Sequence, residues 1–393
     1  MKTLSERKLV LTLAALSAIT PLAIDMYLPS ITLMSKTMNS TEPLVSISIS
    51  IFFLGLAFGQ LFGGPISDAY GRKPIVLLGL GIFSVTSFLI LFANDVYMLW
   101  ILRFIQAFGG GVATVNVSAV VRDMFSGRES ARIFSMIGSI TILAPLLAPV
   151  MGLGLVSIFG KWEAVFLFLG IYSLLAFLFY RANFTDAPDK EHTKVTPIKN
   201  YLEVFKSGRP MILIIALVVS GCGFYAILTS SSVIYIDYFG LSQTMFVLCF
   251  AVNIVTLMAV TKINVRLVKK ISPLTLLKFG LFMQIVLSVI MMILHNTTQI
   301  LFMAPLIALF VGTLGFVFGN AFSIILEHFP KTSASANAVI GVLQYGFGAG
   351  AGMLANFFHT DGSLFALMCV ILLSSVIGTA ILILGVTRGK NLA

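Results

Sequence analysis

GGPISDAYGRKP, residues 63–74, sets Asp68, Arg72 and Lys73 between two apolar runs, each long enough to cross a bilayer. Its glycines permit a tight turn, and Asp68 can pair with Arg72 across it or with neighbouring helix ends. An ordinary charged turn between membrane helices would contain the same parts. TKINVRLVKKISP, residues 261–273, stands in the equivalent place six apolar runs later. It keeps the basic cluster and lacks counterparts of Asp68 and Gly71. The chain therefore reads as two six-helix halves, an architecture in which secondary transporters hold their substrate near the midplane between halves.

Composition agrees. Of 393 residues, 58% are hydrophobic and 10% charged, with a mean hydropathy of +1.03, whereas a soluble domain carries about 25% charged residues. The expected fold is an all-α, polytopic membrane protein. Spans are expected at 9–31, 44–66, 75–93, 97–120, 133–157, 162–180, 211–236, 244–261, 273–294, 298–326, 334–357 and 363–386. The longest polar interval, 181–209, reads as a cytoplasmic central loop between an N-terminal six-helix bundle (1–180) and a C-terminal one (210–393). MKTLSERK followed by an apolar run imitates a signal peptide, but the run is too long and lacks a small-residue cleavage site. It is read as a retained first transmembrane helix.

Lysine and arginine placement sets the orientation. With the N-terminus in the cytoplasm, the inner segments hold Lys2, Arg7, Lys8, Arg72, Lys73, Arg122, Arg128, Arg132, the basic residues of the central loop, Lys262, Arg266, Lys269, Lys270, Lys331, Arg388 and Lys390. The other side holds little beyond Lys36 and Lys161, and its short loops leave no ectodomain for a receptor. The formal charge of +10 thus serves topology, with both termini in the cytoplasm, and nucleic-acid binding is set aside. Cys222, Cys249 and Cys369 fall in apolar segments without metal-ligand spacing and read as small core residues.

TPLAIDMYLPS, residues 20–30, puts a carboxylate between two prolines inside the first span. An ionised carboxylate at the bilayer centre costs about 2.5–3.5 kcal/mol on insertion scales. Proline disturbs the helix as well, so this segment must face protein or a water-filled cavity. Asp25 lies about 26 Å beyond Lys8, and Arg103 about 12 Å from Asp95 at the outer end of the fourth span, at 1.5 Å per residue. In a hydrocarbon core about 30 Å thick both fall in the outer half, and they are expected to pair. A nearby cation favours the ionised carboxyl and removal from water favours the neutral one. A group under both pulls can exchange a proton as conformation changes.

Other residues are more ambiguous. Gln106 shares the helix face of Arg103, and Gly109 to Gly111 permit close packing. Pro145 and Pro149 lie on one face and should bend the fifth span. Tyr27, Asn116, Tyr225, Asn320 and Gln344 are polar groups in apolar spans that could line a substrate cavity with Asp25. Each of the four beyond Tyr27 serves equally well as a helix–helix hydrogen-bonding group. GFGAGAG, residues 346–352, sits in an apolar span with no strand before it and reads as helix packing.

GPISDAYGRK, residues 64–73, resembles motif A of the major facilitator superfamily (G-x-L-x-D-x-x-G-R-K), with Ile66 replacing leucine. LWILRFIQAFGGGVA, residues 99–113, resembles motif B (R-x-x-Q-G), with Ala107 where glycine is usual. APLLAPVMGLG, residues 144–154, resembles motif C of the antiporter branches, with alanine-proline for glycine-proline. Together with AIDMYLP (23–29) and GVLQYGFGAG (341–350), these make the chain similar to the bicyclomycin-resistance (Bcr/CflA) subgroup of drug:proton antiporters. The resemblance implies the twelve-helix major facilitator fold, proton-driven export of varied drug-like compounds and a bacterial inner membrane. It implies conformational gating by Gly64, Asp68, Gly71, Arg72 and Lys73, which latch the bundle in one access state, and by Pro145, Pro149 and Gly152.

The expected function is proton-coupled efflux of a small amphipathic compound by alternating access, with Asp25 and Arg103 as the proton-coupling residues. Facing out, Asp25 takes a proton and substrate leaves; facing in, substrate binding favours proton release while Arg103 stabilises the carboxylate. The rival is a proton-linked or facilitative transporter of one native metabolite. With no G-x-x-x-x-G-K-[ST] loop, ATP-driven transport by this chain is not expected. Neither an enzyme activity, nor a cofactor, nor a metal site is expected. The partners are a small drug-like substrate, protons and the lipid bilayer, and the chain is expected to be a monomer in the plasma membrane.

Overall fold

The computed structural model describes residues 6–125, 127–184, 197–329, 332–359 and 363–388. Among these, twelve helices are long and apolar enough to cross a membrane. The first half runs α1 (Glu6–Asp25), a 3-10 turn (Leu28–Ser30), α2 (Ile31–Thr37), α3 (Glu42–Tyr70), α4 (Arg72–Ile90), α5 (Val96–Met124), α6 (Gly127–Phe159) and α7 (Glu163–Asn183). A short α8 (Pro197–Phe205) precedes α9 (Arg209–Thr229), a π turn (Val233–Tyr238), α10 (Gln243–Leu267), α11 (Pro273–Ile293), α12 (Ile300–Glu327), α13 (Ser333–Phe357) and α14 (Phe365–Arg388).

Local chemistry sets the helix ends. Asp95 caps α5, its Oδ1 accepting from the Tyr97 and Met98 amides at 2.8 and 2.9 Å. Ser242 caps α10 and Ser272 caps α11 in the same way, the latter followed by Pro273 at the first helical position. Gly71 makes the turn between α3 and α4 at φ +93°, a backbone setting that favours glycine.

The expected spans hold with informative differences. The first, expected as one helix over 9–31, breaks after Asp25 and resumes as α2. Pro29 has no N–H for the carbonyl four residues back, which is that of Asp25. The seventh, expected over 211–236, ends as α-helix at Thr229 and continues as a π turn. Each half thus begins with a helix that loses regularity toward its C-terminal end. α3, α5 and α10 outrun their expected ends at 66, 120 and 261, because polar residues such as Asp68, Asp123 and Arg266 continue the helix beyond its apolar stretch.

The chain divides into two compact units, Met1–Thr41 with Ile51–Pro197, and Glu42–Ser50 with Ile198–Ala393. The division falls inside the 181–209 interval, and the start of α3 groups with the second unit. In the first unit α4 packs on α5 and α7, and α1 on α6. In the second, α11 packs on α12 and α14, and α9 on α13. These are the same pairings six spans later, so the internal repeat is one of packing as well as of count. Large apolar side chains such as Leu78, Phe92, Ile101, Leu175, Leu248 and Leu373 are exposed all along the spans. A soluble protein would hide so continuous an apolar surface, and hydrocarbon does not require it to.

Candidate functional site

Asp25 is the last residue of α1 and is only 4% exposed. Its Oδ1 is buried without a hydrogen-bond partner. Beyond it the Met26 amide still reaches the Leu22 carbonyl at 3.1 Å, and Ser30 donates through its amide and hydroxyl to the Tyr27 carbonyl at 2.9 and 2.7 Å. The break is therefore a tightened turn, and it leaves Asp25 at a step in the helix.

Arg103, in α5, is wholly buried. Its Nη2 donates to the Ala23 carbonyl at 3.0 Å and its Nη1 to Gln106 Oε1 at 2.8 Å. Gln106 in turn donates from Nε2 to Ser87 Oγ of α4 at 2.7 Å. The guanidinium carbon sits 4.5, 4.2 and 5.7 Å from the ring centroids of Tyr27, Phe52 and Phe166. The last four carbonyls of a helix have no donor within it, and that end of the helix dipole attracts cations. Arg103 thus caps one carbonyl at the C-terminal end of α1 from another helix.

The expected pair does not form. Among the described residues no ion pair joins Asp25 to Arg103; the guanidinium donates through Nη1 and Nη2 to Gln106 and Ala23 and lies against the rings instead, with Nε buried and unpartnered. The depth estimate placed both groups near the same level, but the broken backbone, not the carboxylate, takes the cation. Arg103→Lys should accordingly lose the two-pronged donation and the flat stacking surface. Desolvated cation–π contacts alone reach about 2 kcal/mol, so a clearly lower thermal midpoint in detergent is expected, and an unchanged midpoint would contradict this role for Arg103.

α6 completes the surroundings of the break. Ala144, Ala148, Pro149 and Gly152 are buried and recur along one face of the helix, which packs on α1. A Cβ at Gly152 would fall on the Met26 carbonyl, so the α6 backbone itself lies against the residue after Asp25. Pro145 is half-buried on the same side.

At the far end of α3, Arg72 bridges three partners. It reaches Asp68 at 2.5 Å, Asp123 of α5 at 3.2 Å and the Ser67 hydroxyl at 2.6 Å. Gly64 continues the helix before this cluster, Gly71 makes the turn between Asp68 and Arg72, and Lys73 follows Arg72 in the first turn of α4. Asp123 was not among the expected gating residues. The signal available for it was an acid at the inner end of the fourth span beside Arg122.

Of the remaining candidates, one lies in the first unit and three in the second. Asn116 lies about 20 Å along α5 from Arg103, with its Nδ2 on the Val112 carbonyl of its own helix at 2.8 Å. Asn320 donates to Asn264 Oδ1 at 2.8 Å and ties α12 to α10. Tyr225 of α9 meets Tyr345 of α13 edge-on at 6.1 Å and packs against Gly348. Gln344, one residue before Tyr345, is buried with Nε2 unpartnered. Within the first unit, Tyr27 and Arg103 meet beside the break that carries Asp25, and Asn116 stands apart from them on α5. Phe52 and Phe166, which complete the ring cage, had no local signal, since each looks like any other core phenylalanine.

The profile described as "Major Facilitator Superfamily" matches residues 13–355. The chain belongs to the major facilitator superfamily. Within that superfamily it is 33% identical over 358 residues to a bicyclomycin resistance protein homolog of Haemophilus influenzae, covering 90% of this chain and 89% of the relative. It is 27% identical over 396 residues to the multidrug resistance protein MdtL of Vibrio parahaemolyticus, covering 94% and 93%. Among solved structures, the xylose transporter XylE from E. coli superposes with a TM-score of 0.71 at 12% identity, covering 94% of this chain and 96% of that one. A bacterial homolog of the human lysosomal transporter Spinster does so with a TM-score of 0.73 at 14% identity, covering 96% of each. At these identities the superposition speaks for the fold alone. As a major facilitator protein the chain is a multi-pass membrane transporter and not an enzyme.

Proposed function

We propose that the chain exports drug-like compounds in exchange for protons, with Asp25 as the proton-carrying group. The observation that carries this reading is a buried carboxyl with an unpartnered oxygen at a break in α1. Keeping an ionised carboxylate there is costly unless water or a cation reaches it, so its protonation follows whether its surroundings are open. Pro29 makes the break, Arg103 fixes the carbonyl two residues before Asp25, and α6 lies on the carbonyl one residue after it. A change in the bend of α6 therefore alters the setting of Asp25, which gives the coupling a route. Arg103 acts in this reading as a positioning residue. The names of the relatives, which include bicyclomycin and multidrug resistance, support the substrate class. Lysine and arginine placement supports cytoplasmic termini.

Coupling must be reciprocal, since a proton can weaken substrate binding only as much as substrate weakens proton binding. The test is proton release from purified, weakly buffered protein on adding bicyclomycin or ethidium. Release by the native chain that disappears in Asp25→Asn, with binding retained, is the expected result. Equal release from both proteins removes Asp25 from the role. Binding without release at any pH from 5 to 9 would turn the reading to a facilitator of one compound.

A further inference from the structure

In the second unit α10 and α12 run side by side and nearly touch at two glycines. A Cβ at Gly312 would lie 2.9 Å from Thr256 Cγ2, and one at Gly315 would lie 2.7 Å from the Thr261 amide nitrogen. From that contact toward their N-terminal ends the helices part. Leu241, Met245, Cys249, Val252 and Thr256 face Ile300, Leu301, Ala304, Pro305, Ala308 and Leu309 across a cavity of about 500 Å³. Pro305 lies inside α12 and denies Leu301 its helical donor, while Ala304 and Ala308 are too short to refill the gap. From Met245 to Thr256 the cleft is about 16 Å long.

Water has little to hold it there. The Thr256 hydroxyl already donates to the Val252 carbonyl at 2.8 Å, and the Cys249 thiol is the other polar group of the lining. A buried water typically makes about three hydrogen bonds. The rim residues Met245, Val252, Leu301 and Leu309 are exposed, and the apolar surface continues outward through Leu248, Val255 and Phe302. The cleft is thus continuous with the face this unit turns to the bilayer.

We propose that the cleft is an acyl-chain site, occupied by one hydrocarbon tail of a membrane phospholipid. A tail in the bilayer is already dry, so removal from water contributes nothing to its binding. The gain is instead the dispersion contact that an empty wedge would forfeit. Ser242, Gln243 and Gln299, which adjoin the lining residues Leu241 and Ile300 at the N-terminal ends of α10 and α12, are polar and uncharged, so the site selects the tail and is indifferent to headgroup charge. By the orientation expected above, the mouth opens away from Lys262, Arg266, Lys269 and Lys270, toward the outer leaflet.

The test uses the full chain in phosphatidylcholine vesicles doped with a phosphatidylcholine bearing a diazirine midway along one tail. After illumination, label should concentrate on peptides covering 245–256 and 300–309. Ala304→Phe, which fills the wedge, should lower that labelling by about fivefold or more, as a loss of about 1 kcal/mol in occupancy requires, with α11 and α14 labelled as before. Ala308→Leu serves where the phenylalanine does not fold. Label spread evenly over the exposed helices of the native chain overturns the proposal, as does equal labelling of the filled variant. Displacement of the label by saturating ethidium also overturns it, since the cleft would then belong to transported compounds.

Discussion

Asp25→Asn is expected to hold substrate accumulation at a ratio of about one while exchange of substrate for substrate continues. A gradient of one pH unit is worth about 1.4 kcal/mol per proton, which is about tenfold in concentration. In proteoliposomes with the membrane potential clamped at zero, a one-for-one exchanger should thus concentrate substrate about tenfold per pH unit. Asparagine keeps the shape of the side chain and has no proton to release at working pH. Removing a charge from a buried ion pair strands the partner and costs about 3–5 kcal/mol. No such penalty applies here, because the Arg103 guanidinium is bonded to Ala23 and Gln106 instead of Asp25. The variant should therefore fold with a nearly native thermal midpoint. Tenfold accumulation by Asp25→Asn would place the exchanged proton on another group. Loss of both accumulation and exchange, with the fold intact, would make Asp25 a structural element of the moving parts.

Most of the fold was legible because a bilayer imposes a length rule on apolar runs, and the charged turns at Asp68–Lys73 and Lys262–Lys270 mark equivalent places in two halves. Helix ends were less so. Hydropathy follows the hydrocarbon, whereas a helix follows backbone hydrogen bonds, so α3 runs on through Asp68 to Tyr70 and α10 through Arg266 to Leu267. The break after Asp25 was half visible: Pro29 signalled a disturbance, but not that α2 would resume at Ile31.

The candidate site divides in the same manner. Asp25 and Arg103 stand out in sequence because charge inside a span is rare, and the structure brings their helices together. What each of them touches depends on residues far away in the chain. A depth estimate ranks possible partners by level, yet the helix end at Ala23 offers a cation free carbonyls, and Tyr27, Phe52 and Phe166 offer it ring faces. Asn320 shows the same lesson from the other side. Nothing local distinguishes a cavity-lining asparagine from one bonded to Asn264 on the neighbouring helix.

Gly152 and Gly154 offer a comparison within one helix. Alanine is favoured over glycine in a helix interior by about 1 kcal/mol, so Gly154→Ala, whose Cβ would meet nothing within 4 Å, should leave the chain as stable as before or more so. Gly152→Ala carries the same propensity gain and places its Cβ on the Met26 carbonyl. That obstacle is backbone, which cannot swing aside as a side chain can. α6 must draw back from α1, and overpacking of this kind costs about 1–3 kcal/mol. The break that carries Asp25 would then lose the surface holding it from the α6 side. The expected outcome is a lower thermal midpoint and at least a tenfold loss of pH-driven transport, about 1.4 kcal/mol in the transport barrier, for Gly152→Ala alone. Gly152→Val should be worse again, since a branched side chain enlarges the same collision. Should Gly152→Ala and Gly154→Ala behave alike in both measurements, α6 does not bear on the Asp25 break in the conformations that limit transport, and the route from helix bending to proton exchange would have to run through α5 and Arg103.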